Sequence, residues 1–215
     1  MERLSRLLQS AAPVKWLFYG DSITHGALHT FGVRDYTEVF AERVRFELGR
    51  GLDVVINTAI SGHNTRLLLE QFDWRVGQFA PQAVFVMIGM NDCSAASGIS
   101  VAEFSANLET LVSRIAGLGG QTVLQTTCPI LPGAAPDREA GFGAYMEAVR
   151  QVAARTGAPL VDHERFWRER VDRHYYWMSD AFHPNEYGHR AFAHLLFEAL
   201  GIADPQSHCC RLFRP

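Results

Sequence analysis

An α/β fold built on one parallel sheet, with helices covering both faces, is the class that the 215-residue sequence predicts. Three observations point there. Short apolar runs alternate with longer stretches of helical period along the chain. The run Ala83-Val84-Phe85-Val86-Met87-Ile88 is apolar without a break, as expected of a strand covered on both sides. No linker, internal repeat or low-complexity segment divides the chain, so a single domain over residues 1–215 is expected.

Residues 14–19 read as the first strand, ending at Gly20. A helix over 36–48 follows, with Val39, Phe40, Val44 and Leu48 on one face. Val54–Asn57 is the second strand and 65–76 the second amphipathic helix. After the third strand, 83–88, Ser100 is placed to cap a helix. Its inner face is Val101, Phe104, Leu108, Leu111, Ile115 and Leu118, spaced three or four apart. Residues 122–126 form the fourth strand, 140–155 a helix stopped by Gly157, and Leu160–Val161 a short fifth strand. The last helix, 185–200, has Pro184 at its entrance, where a missing N–H costs nothing. Residues 129–143, rich in proline and glycine, read as the longest irregular stretch.

The composition narrows the function. Hydrophobic residues at 47% and charged residues at 20% exclude a disordered or fibrous chain. A net charge of −3 gives no reason to expect nucleic acid or an anionic membrane as partner. Lys15 is the only lysine, and no run of like charge stands out. No apolar stretch approaches the roughly 20 residues of a membrane span. Residues 1–14 lack the apolar core of a signal peptide, so a cytoplasmic location is the expectation. Four cysteines are too few for a disulfide scaffold: Cys93 and Cys128 read as core residues, Cys209 and Cys210 as an exposed tail.

In an open parallel sheet the carboxyl ends of the strands share one rim, and ligands bind in the crevice there. The first strand delivers Gly20-Asp21-Ser22 to that rim, the second Ser61-Gly62-His63-Asn64, and the third Gly89-Met90-Asn91-Asp92. The approach to the last helix brings Asp180 and His183. Those residue types fit acyl transfer. A serine hydroxyl is a weak nucleophile until a base takes its proton. His183 is suited to be that base, with Asp180 three residues earlier to fix its tautomer. The main-chain N–H groups of Ser22 and Gly62 and the amide of Asn91 are suited to hold a tetrahedral oxyanion, and the missing β-carbon of Gly62 lets its N–H come close. Asp21 and Asp92 read as structural, holding the loops of Ser22 and Asn91. His63, Phe182 and Trp177 are candidate substrate contacts, although Tyr175, Tyr176, Trp177 and Met178 are for the most part core candidates.

Gly20-Asp21-Ser22, Gly62, Gly89-Met90-Asn91-Asp92 and Asp180-x-x-His183 resemble, in order, the four sequence blocks of the SGNH hydrolases, also called the GDSL esterase/lipase family. Ile23 stands where the family's name expects leucine, and Ala181 where many relatives carry glycine; neither position carries chemistry. The resemblance implies a flavodoxin-like three-layer α/β/α sandwich on a five-stranded parallel sheet, and hydrolysis of esters or thioesters without a cofactor. It also implies Ser22 as nucleophile, His183 as base, Asp180 as third member, and Ser22, Gly62 and Asn91 around the oxyanion.

Two rival readings draw on the same residues. A metal-dependent phosphoesterase would use Asp21, His25, His29, Asn91, Asp92, Asp180 and His183 as ligands. Gly26 interrupts the helix that would pair His25 with His29, and the characteristic metal-binding runs do not occur. A non-catalytic binding module is disfavoured because no catalytic residue is missing and no glycine-rich phosphate loop is present. The Gly-x-Ser-x-Gly elbow of the other serine-hydrolase architecture does not occur either. The short chain leaves little for a lid, which favours a shallow site and a short acyl ester as the small-molecule partner. An O-acetylated carbohydrate comes first, a short-chain lipid ester or acyl thioester second.

Overall fold

All five expected strands pair side by side in the computed structural model, which describes residues 2–213. They are β1 (Lys15–Gly20), β2 (Val54–Asn57), β3 (Ala83–Met87), β4 (Gln121–Gln125) and β5 (Leu160–Val161). Every pairing is parallel, in the order β2-β1-β3-β4-β5. That order reverses direction between β1 and β3, so the crevice at the carboxyl edge opens where Ser22 and Asn91 leave the sheet.

The helices, in chain order, are α1 (Glu2–Gln9), α2 (Ser22–His25), α3 (Tyr36–Glu42), α4 (Thr65–Glu70), α5 (Phe72–Arg75), α6 (Val101–Gly117), α7 (Pro136–Thr156), α8 (His163–Arg168), α9 (Val171–His174), α10 (Glu186–Leu200) and α11 (His208–Arg211). On one side of the sheet α10 packs on α3; on the other α6 lies against α4 and α7. Between them the sheet buries Trp16, Leu17, Phe18 and Tyr19 of β1 and all of β3. Phe18 and Phe85, opposite each other in register, stack with ring centroids 4.6 Å apart. Phe40 of α3 meets both edge-on, so the core directly beneath the site is a rigid aromatic cluster.

Boundaries differ from the sequence reading in three informative places. The 36–48 helix leaves α-helical geometry at Arg43 for a wide turn over Arg43–Glu47, where the Arg43 guanidinium donates to the Ile202 carbonyl. The 65–76 helix is broken at Gln71 into α4 and α5. The irregular stretch is shorter than 129–143, because α7 already starts at Pro136, a proline at its first position needing no hydrogen bond. Ser100 caps α6 as expected, accepting from the Glu103 N–H at 3.1 Å. Asn185 does the same for α10, with Pro184 just outside.

The exposed-tail reading of Cys209 and Cys210 is corrected. Cys209 is buried on α11 and its N–H donates to Glu47 Oε1, while Phe213 packs against Phe166, Trp177 and His194. Apolar side chains at 209 and 213 are what draw the segment down. Burial raises the Cys93 and Cys209 thiols to about 12 and the Cys128 thiol further still, consistent with inert packing residues. Among the described residues, no helix is long and apolar enough to cross a membrane.

Candidate active site

Ser22 is the first residue of α2, placed there by the end of β1. Gly20 lies against β3 so closely that a β-carbon would stand 2.2 Å from the Met87 carbonyl oxygen. Asp21 then caps the turn, its Oδ1 accepting from the Ile23 N–H at 3.0 Å. The Ser22 N–H, in the first turn of this helix, has no acceptor within it. Asn57, at the end of β2, donates to the Thr24 carbonyl at 2.8 Å and so ties the serine turn to the neighbouring strand.

His183 Nε2 lies 2.8 Å from Ser22 Oγ. On the other side of the ring, His183 Nδ1 is 2.8 Å from Asp180 Oδ2. Asp180 is itself fixed, because its Oδ1 accepts from the N–H groups of Phe182 and His183 at 3.0 and 2.9 Å. The loop carrying the pair closes on itself through the Ser179 N–H donating to the His183 carbonyl and a bridge between Met178 and Pro184. Partial burial pushes the Asp180 carboxyl up, but its bonds to the Phe182 N–H, the His183 ring and the His183 N–H outweigh this, and it sits below the ordinary range. Asp180 is therefore ionised at neutral pH and fixes the proton of a neutral His183 on Nδ1. That leaves a lone pair on Nε2 aimed at the serine.

Gly62 and Asn91 follow the next two strands. Gly62 has φ +82°, a left-handed conformation, and a β-carbon there would meet no atom; backbone angle rather than close approach is what requires glycine. Asn91 donates one amide hydrogen to the His63 carbonyl at 2.8 Å, which orients the group. Asp92 holds the same corner, accepting from the Thr65 N–H at 2.9 Å and its hydroxyl at 2.5 Å. Asp21 and Asp92 are both buried, and each keeps one carboxyl oxygen without a partner. Burial, reinforced by Asp92, pushes Asp21 up to about 7; burial likewise raises Asp92 against the opposing Thr65 bonds.

Ser22, Gly62, Asn91, Asp180, Phe182 and His183 line one cavity of about 500 Å³. Of the three candidate substrate contacts, Phe182 lines this cavity, and its ring carries the Arg138 guanidinium 4.6 Å from its centroid. The other two, His63 and Trp177, do not line it. The His63 side chain is buried outside the cavity and contributes through its carbonyl. Trp177 is buried against Phe166, Trp167 and Phe213. Its large apolar ring finds the hydrophobic core, while Tyr175 and Tyr176 remain exposed.

Sequence reasoning missed the role of His29. Its ring stacks on His183 with centroids 4.7 Å apart and 17° between planes. The Tyr36 N–H donates to His189 Nδ1, so His189 carries its proton on Nε2 and donates it to His29 Nε2 at 3.3 Å. Burial, then proximity to His183, lowers His29 to about 4, and burial lowers His189 to about 3. Two neutral imidazoles therefore back the third. Only tertiary structure brings residues 29, 183 and 189 together; nothing in the local sequence signals it. His25, weighed with His29 as a metal ligand, instead has its Nδ1 3.0 Å from the Ser61 hydroxyl, beside Gly62. Among the described residues no three His, Cys, Asp or Glu side chains gather as a metal site would require.

A hydrogen-bonded series of serine, histidine and aspartate at the switch point of a parallel sheet is the arrangement found in α/β hydrolytic enzymes. Residues 18–191 match the GDSL-like Lipase/Acylhydrolase family, and the chain belongs to this family of ester-hydrolysing enzymes. An acetylxylan esterase of Geobacillus stearothermophilus is 28% identical over 212 residues, which cover 87% of this chain and 94% of that one. Its crystal structure superposes with a TM-score of 0.75. An uncharacterized protein of Mycoplasma pneumoniae is 35% identical over 108 residues, 49% of this chain but only 12% of the relative's length. An alpha/beta hydrolase from the metagenome of Lake Arreo, Spain, has the same fold, with a TM-score of 0.79 at 24% identity over 92% of this chain and 99% of that one.

Proposed function

We propose that the protein is a serine esterase that removes short acyl groups, acetyl first among them, from carbohydrate. The observation that carries this reading is the unbroken relay Ser22 Oγ–His183 Nε2–His183 Nδ1–Asp180, with both contacts at 2.8 Å. His183 takes the hydroxyl proton as Ser22 Oγ attacks the ester carbonyl. The resulting oxyanion is held by the N–H groups of Ser22 and Gly62 and by the second amide hydrogen of Asn91. The imidazolium, steadied by Asp180, returns the proton to the leaving alkoxide, and the C–O bond breaks to give an acyl-enzyme. Water attacks that ester by the same route, releasing carboxylic acid and restoring Ser22.

The carbohydrate assignment is supported by the acetylxylan esterase relative, which the chain matches over nearly its whole length. Acetate release from acetylated xylose, measured beside p-nitrophenyl esters from acetate to palmitate and an acyl-CoA, tests it. Acetate esters are expected to turn over fastest, and a fluorophosphonate is expected to label Ser22 and stop the reaction. Preference for palmitate or for the thioester would overturn the substrate; labelling at another residue, or activity surviving in Ser22→Ala, would overturn the mechanism.

A further inference from the structure

The segment between α2 and α3 turns two apolar side chains the wrong way for a soluble protein. Leu28 and Phe31 are 90% and 82% exposed. Both have left-handed backbone, at φ 68° and 54°, which leucine and phenylalanine rarely adopt. Their neighbours His29 and Thr30 are buried and tied down. The His29 carbonyl accepts from Ser179 Oγ at 2.5 Å, and Thr30 Oγ1 donates to the Gly26 carbonyl at 2.7 Å. Glycine or asparagine would fit positions 28 and 31 with less strain, and a polar residue would suit the solvent. Strain and exposure at the same two residues mark a surface kept for contact. Both side chains line the cavity that holds Ser22, Asn91 and His183.

The side of the cavity decides which part of an ester they meet. The carbonyl oxygen faces Ser22, Gly62 and Asn91. The leaving oxygen takes its proton from His183 Nε2, so the alcohol lies on the imidazole's side. His29, stacked on that imidazole, sits between Leu28 and Phe31 in the chain. We infer that Leu28 and Phe31 form an apolar platform for the leaving alcohol, and that it selects a cyclic alcohol with a flat C–H face, such as a pyranose ring. Such a ring lays its C–H face on the two side chains and turns its hydroxyls to water, which an open rim allows and an enclosed acyl tunnel would not. This inference rests on the esterase reading above and specifies which half of the substrate is recognised.

The test compares an acetylated methyl xyloside with ethyl acetate, following acetate release and reporting the ratio of the two kcat/KM values. Phe31→Ala is expected to lower that ratio about tenfold, chiefly through KM for the xyloside, the effect of losing one ring-sized apolar contact. Phe31→Trp is expected to retain it. Leu28→Gly is expected to lower the ratio severalfold while leaving Tm unchanged or raising it by up to about 2 °C, because relief of the left-handed strain offsets the greater freedom of glycine in the unfolded chain and no buried contact is lost. A purely structural residue would not weaken binding of the xyloside without also lowering Tm. A ratio unchanged in both Phe31→Ala and Leu28→Gly overturns the inference. So does a Phe31→Ala protein that only changes its oligomeric state, which would make the patch a contact between copies of the chain. Wild-type protein that hydrolyses neither ester refutes the esterase reading itself, and this inference falls with it.

Discussion

Replacing Asp21 by asparagine isolates the buried carboxyl that immediately precedes Ser22. Asp21 is 1% exposed, one of its oxygens has no partner, and burial together with Asp92 raises it from 3.8 to about 7. A carboxyl raised in the folded state binds its proton more tightly there than in the unfolded chain. Stability from this group is therefore complete below about pH 4 and is lost as pH rises through about 7. At about 1.4 kcal/mol for each pH unit the loss amounts to about 4 kcal/mol, an upper value for a single group. Asparagine keeps an oxygen for the Ile23 N–H but cannot ionise. Urea unfolding of both proteins at pH 5 and pH 8.5 is the assay. The wild type is expected to lose stability relative to Asp21→Asn between the two conditions, by up to about 3 kcal/mol, since only the two pH units from 5 to about 7 fall inside the window. Subtracting one protein from the other removes the histidine contributions common to both. A stability difference that stays constant from pH 5 to pH 8.5 would refute the reasoning.

Asn91→Ala should lower kcat about 10²–10³-fold with a smaller effect on KM, as expected when an oxyanion donor is lost; steady-state kinetics on p-nitrophenyl acetate will read it. Gly62→Ala meets no steric obstacle yet forces a left-handed alanine, so it should cost roughly 1 kcal/mol of stability by thermal melting and reduce kcat as the loop relaxes. Below pH 6.5 the protein should lose stability progressively. Burial holds His29 at about 4 and His163 and His189 at about 3, so each binds its proton in the unfolded chain first. Chemical denaturation from pH 7 to 4 measures that decline, and His163→Phe should flatten it.

The sheet was legible because its strands announce themselves locally: an unbroken apolar run at 83–87 can only be a strand covered on both faces. The same was true of the residues at strand ends, since a parallel sheet gathers those ends whatever its sequence. Asp180 and His183 were legible through their mutual spacing. Helix interruptions at Arg43 and Gln71 were not, because they answer to distant partners such as the Ile202 carbonyl rather than to neighbours in the chain. Trp177 and His63 were misplaced for a related reason. Sequence proximity to a site residue does not by itself fix which way a side chain turns, and a large indole near a hydrophobic core turns inward. The stacking of His29 on His183 was not legible because its partners lie more than 150 residues away.

The closed loop from Met178 to Pro184 carries Asp180 and His183 as one preassembled unit, held internally by its own backbone bonds. Its separation from Ser22 is governed by a different set of contacts, the Ser179–His29 hydrogen bond and the imidazole stack. Displacing that unit would stretch the gap between hydroxyl and imidazole while sparing the carboxylate's grip on the ring. Such a protein can idle with its imidazole already oriented by the carboxylate, needing only a small rigid shift to bring the ring back to the hydroxyl.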